Sequence, residues 1–124
     1  MHKQFIILGS VCALLAVALG AFGAHGLEAT LDDKMLSIFE TGVKYHMYHA
    51  LGLLVIAALS MRMPQSRQLL WAGRLIFCGI LIFSGSLYVL SMTGITALGM
   101  ITPIGGVLFI VGWALVAISA IKMK

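Results

Sequence analysis

At 124 residues, with 61% hydrophobic and only 10% charged side chains, the chain falls far below the roughly 25% charged residues of an ordinary soluble domain. A mean hydropathy of +1.09 excludes a water-soluble globule and leaves room for one membrane-embedded domain. The formal net charge of +4 comes from basic residues that flank apolar stretches, which excludes nucleic-acid binding as its cause.

Phe5 to Ala24 holds no charged side chain and is bounded by Lys3 and by the glycine-rich run ending at His25. A bilayer core of about 30 Å needs about 20 helical residues, so 5–24 reads as a first span. A cleaved signal peptide is the competing reading, but its apolar region is shorter, about 7 to 15 residues. Next, Thr30 precedes Asp33 as in a helix cap, and Leu31, Met35, Ile38 and Phe39 recur at helical spacing. Asp32, Asp33, Ser37 and Glu40 face the other way. This pattern predicts a short amphipathic helix over 31–42, lying on the outer surface.

A second span is predicted at 45–62, with Lys44 and Arg62 reaching to the interfaces. Met63 to Arg67 form a polar turn, and a third span follows at 70–93 with Arg74 one turn inside its start. From residue 75 to residue 121 no charge occurs at all. A single helix of that length would run about 70 Å, so the chain must fold back. Gly94, Gly99 and the pair Thr102 and Pro103 mark the reversal, with Thr102 as a cap and Pro103 at the first helical position. The fourth span is 103–121. The apolar third loop, Gly94 to Ile101, is expected to rest against lipid or against the external helix, the two together making an external lid. The fold class is therefore all-α, an integral membrane four-helix bundle with a short external amphipathic helix between helices 1 and 2.

Charge then orients the bundle. Lys3, Arg62, Arg67, Arg74, Lys122 and Lys124 fall on one side; Lys34 and Lys44 share the other with Glu28, Asp32, Asp33 and Glu40. The positive-inside rule predicts a multi-pass protein of the cell membrane with both termini in the cytoplasm. Small residues recur along the spans, at Gly9, Ala13, Ala16, Gly20 and Ala24. They return every seven residues at Ala72, Gly79, Ser86 and Thr93 and at Gly105, Gly112 and Ser119. Such seams let helices approach closely in lipid, where no hydrophobic drive brings them together.

The candidate site residues lie at the external side. His46 and His49 sit one turn apart, and His25 ends the first span, so the three are candidate metal ligands. His25, Tyr45 and His49 are the candidate cofactor-binding residues. Tyr45, His46, Tyr48 and His49 also fit an interfacial aromatic belt that needs no ligand. Most of the eight methionines stand singly in apolar stretches as core filler, and Cys12 and Cys78 read as free buried thiols. Ser84 and Ser86 read as packing hydroxyls. No carboxylate lies within a span, and no phosphate-binding loop or nucleophile with its base is present, so the residues assign no catalytic group, cofactor or reaction.

Five blocks of sequence resemble one family. GAFGAH at Gly20 to His25, ETG at Glu40 to Gly42 with Tyr45 and His49, FSGSLY at Phe83 to Tyr88, TPIGG at Thr102 to Gly106, and Gly112 with Trp113 are similar to the signature of the small YgdD/YwdK membrane proteins of unknown function. The resemblance implies a bacterial multi-pass cell-membrane protein, with mitochondrial relatives in animals and no established activity. It includes His25 and His49 but not His46. It also implies a non-enzymatic structural or accessory role in membrane or envelope integrity. The alternatives are a cofactor-, lipid- or metal-binding membrane protein using the external histidines, and a subunit of an oligomeric pore or transporter. The expected partners are the lipid bilayer and either a second copy or other membrane proteins.

Overall fold

The computed structural model describes residues 1–123; Lys124 and the side chain of Ala24, both used in the reading above, lie outside that description. Among the described residues, four helical stretches are long and apolar enough to cross a membrane: His2–Gly23, Asp33–Ser60, Arg67–Thr93 and Thr96–Ile121. Helix α1 (His2–His25) leads through a short turn to α2 (Asp33–Ser60). Helix α3 (Arg67–Gly79) passes through a π-helical turn (Ile80–Ser84) into α4 (Gly85–Thr93). A 3₁₀ turn (Thr96–Met100) then enters α5 (Thr102–Ile121). The central element is α2, which packs on α1 and on α3, the π turn and α4, while α5 pairs chiefly with α3.

The external amphipathic helix predicted at 31–42 is not a separate element. It is the first part of α2, which continues unbroken to Ser60. No proline or polar cluster separates Glu40 from Tyr45, and a helix stops only where something stops it. Gly42, the one weak helix former there, is retained in the helix by its neighbours. A Cβ at that position would stand 2.8 Å from the Tyr88 ring, and the Gly42 carbonyl accepts the Ser84 hydroxyl at 2.8 Å. At 1.5 Å per residue α2 is about 42 Å long, roughly 12 Å more than a bilayer core. Its acidic residues, Asp33 and Glu40, lie toward its amino end.

Capping differs from the expectation in two places. Asp32, not Thr30, accepts the Met35 amide at 2.8 Å, while the Thr30 hydroxyl turns back to the Leu27 carbonyl. Thr102 does not cap α5; its hydroxyl meets Ser86 Oγ at 2.5 Å and ties α5 to α4. Ser86 donates to the Phe83 carbonyl, so Thr102 donates to Ser86. The third loop does not form the expected lid. Its 3₁₀ turn packs on α4 and α5, buries none of its residues, and leaves Ile95 half exposed.

The small-residue seams are where the helices meet. Ala72, Gly79 and Ser86 are buried, as are Gly105, Gly112 and Ser119, and only Thr93 at the end of the series is exposed. A Cβ on Gly79 would come within 2.6 Å of the Phe109 ring, and one on Gly112 within 2.6 Å of Ile76. Against α2, Gly9 of α1 admits Leu54 and Gly23 admits Phe39. Phe5, Leu53, Ile56, Leu69, Ile76 and Phe109 fill the core between these contacts.

The chain reverses at Gly94, whose φ of 75° lies in the left-handed region and whose amide closes α4 on the Leu90 carbonyl at 2.7 Å. Nothing lies within 4 Å of a Cβ placed there, so Gly94→Ala adds backbone strain without a clash. The substitution is expected to destabilise by about 1 kcal/mol in a denaturing-detergent titration. An unchanged midpoint would show that the turn has another way to close.

Candidate functional site

Among the described residues the buried polar side chains are His46, His49 and five serines. The two histidines are buried at 5% and 6% exposure. The interfacial-belt reading of these two residues is therefore corrected. Belt residues face lipid and headgroups, whereas both imidazoles are turned inward onto partners from other helices. Tyr45 and Tyr48, on the outer face of the same turn, remain exposed.

His49 is held on both ring nitrogens. Nδ1 lies 2.8 Å from the Tyr45 carbonyl, which can only accept, so Nδ1 carries the proton. That leaves Nε2 as the acceptor for the Trp113 indole N–H at 3.0 Å. The imidazole stacks on Phe109 with centroids 3.6 Å apart and planes 12° apart. Gly52 makes room for this arrangement, because a Cβ there would meet the Trp113 ring at 2.9 Å. His49 thus joins α2 to α5.

His46 faces a different neighbour. Its Nδ1 lies 2.8 Å from the Tyr88 hydroxyl of α4. Tyr88 in turn packs on Phe39 with centroids 5.1 Å apart. Tyr45 lies against Phe83 at 4.8 Å and stacks, offset, over His49. Ser84 and Ser86 complete the interior polar ties.

Of the candidate residues, Tyr45 and His49 are brought together, and His25 is not brought to them. His25 is the exposed last residue of α1; nearby Gly23 packs on Phe39, six residues before Tyr45. No group of three His, Cys, Asp or Glu side chains among the described residues is placed to share a metal ion. His25, His46 and His49 therefore do not form the three-ligand arrangement. Cys12 is buried and Cys78 exposed, so the expectation of two buried thiols holds for the first alone. The partners that make the cluster, Tyr88, Phe109 and Trp113, were not singled out as site residues. The usable signal was the hydroxyl and indole N–H placed within apolar spans, since each needs a buried partner.

The domain family described as "Protein of unknown function (DUF423)" matches residues 19–106, most of the cluster included. The chain belongs to this family. It is 57% identical over 120 residues to the UPF0382 membrane protein YwdK of Bacillus subtilis (strain 168), covering 97% of this chain and 98% of that protein. It is 53% identical to the UPF0382 membrane protein SH2409 of Staphylococcus haemolyticus and 56% identical to SERP0230 of Staphylococcus epidermidis, with 97% of each chain covered in both cases. No solved structure matches it. The DUF423 chain is a membrane protein with a helical, four-span architecture, and nothing in its relatives' names indicates enzymatic activity.

Proposed function

We propose that the protein is a non-enzymatic structural or accessory component of the cell membrane, oriented with both termini in the cytoplasm. One observation carries the reading. Among the described residues, every fully buried side-chain nitrogen or oxygen already has a hydrogen-bond partner within the chain. The interior polar groups serve as ties: His49 to Trp113, His46 to Tyr88, Ser84 to Gly42, and Ser86 to Thr102. A site poised for chemistry keeps donors or acceptors aimed at an absent partner. Orientation rests on Lys3, Arg62, Arg67, Arg74 and Lys122, which sit at the end of the bundle shared by both termini. The partner is then the bilayer itself, together with other membrane proteins or further copies.

Two measurements test this. Reporter fusions at Arg67 and after Lys122 are expected to report the cytoplasm, and one at Lys34 the opposite compartment; any other pattern overturns the orientation. A deletion strain scored for dye and detergent permeability is expected to regain full resistance with His25→Ala or Tyr45→Phe. Loss of rescue by either variant at normal abundance would instead assign those residues to a working site.

A further inference from the structure

A groove of about 460 Å³ runs between α1 and the helix formed by α3, the π turn and α4. Leu8, Cys12 and Leu15 line one wall; Phe77, Leu81 and Gly85 line the other. His46 and Tyr88 also line it, but they hydrogen-bond to each other. The surface the groove presents is thus almost wholly hydrocarbon. Along α1 the lining extends from Leu8 to Leu19, about 16 Å, close to half of a bilayer core of about 30 Å. That is within the reach of one extended acyl chain.

The end of the groove nearer the chain termini is polar. A shallow hollow lined by Met1, Lys3, Gln4 and Ile7 continues along α1 and shares Leu8 with the groove. On the facing helix, Arg74 precedes Phe77 and Leu81 by three and seven residues and so occupies the same face. Its guanidinium lies over the Trp71 ring at 5.0 Å, turned toward the polar end of α3. A cation thus precedes the apolar channel on each of the two helices, Lys3 in the hollow on α1 and Arg74 one turn before Phe77.

We propose that this groove is a phospholipid site: one acyl chain lies between α1 and α3–α4, and the anionic headgroup phosphate rests between Lys3 and Arg74. Charge, depth and length all agree with this occupant. A free phosphate has no use for the channel, and a second copy of α1 would bring its own Lys3 against these cations.

The test is native mass spectrometry of the full chain in detergent, titrated with palmitoyl-oleoyl phosphatidylglycerol. The first lipid is expected to bind about tenfold more tightly than later ones. Gly85→Leu fills the groove from a position where nothing lies within 4 Å of a Cβ. It is expected to remove the tight first step while leaving the unfolding midpoint unchanged or slightly raised. Lys3→Gln with Arg74→Gln is expected to weaken that step about tenfold and abolish its preference over phosphatidylcholine. Equal successive affinities, a Gly85→Leu variant that keeps the tight step, a lipid-free dimer, or competition by inorganic phosphate alone would each overturn the proposal.

Discussion

Gly105→Leu is expected to lower the stability of the purified protein by about 3 kcal/mol or more, read as the midpoint of denaturation in mixed detergent micelles. A Cβ at Gly105 would stand 2.5 Å from the Phe83 backbone nitrogen, 2.7 Å from its Cβ and 2.8 Å from its Cα. Backbone cannot rotate aside as the end of a side chain can, so α5 must move away from the π turn. Separating them also weakens the neighbouring contacts of Gly79 with Phe109 and of Gly112 with Ile76. Gly112→Leu is expected to act in the same direction but less severely, because the nearest atoms there belong to the flexible Ile76 side chain. Gly85→Ala is the control: the added methyl meets nothing, and removing a helical glycine changes stability by no more than about 1 kcal/mol, in the favourable direction. Wild-type stability in Gly105→Leu would mean that the π turn and α5 do not pack as described.

His49→Ala is expected to be the next most damaging change, at about 3 kcal/mol. It removes the stack on Phe109, leaves a cavity, and strands the Trp113 indole N–H. Trp113→Phe removes the other partner and is expected to cost about 1–2 kcal/mol, near the upper range for a hydrogen bond between membrane helices. Both substitutions break the same bond, so the double variant should lose less than the two single losses added together. Strictly additive losses would show that His49 and Trp113 are not bonded in the membrane. Tryptophan emission from the Trp71→Phe background offers an independent readout, since Trp113 alone then reports on His49.

The candidate site was only partly legible in sequence. His49 stood out because an ionisable ring among apolar residues demands an explanation, and Tyr45 stood out as its neighbour one turn away. His25 drew attention by the same chemistry, yet it ends α1 as an exposed residue, separate from the cluster. His46 carried less weight, since the family resemblance left it out. The fold pairs it with Tyr88, forty-two positions later in the chain. Spacing along one helix shows which residues share a face. It does not show which other helix that face meets, and Tyr88 and Trp113 enter the site only through that choice.

Span number and the small-residue seams follow from the sequence by itself, because both are local properties. Lipid demands about 20 uncharged residues per crossing, and close helix contact demands small side chains at a regular period. Tertiary structure decided the rest. Whether residues 31–42 formed their own helix or opened α2 depended on Tyr88 and Ser84 packing against Gly42. Whether Thr102 capped its helix or tied it to α4 depended on where Ser86 came to lie. Each turns on the rotation and register of one helix against another, and those are set by contacts between residues far apart in the chain, which no window along the sequence contains.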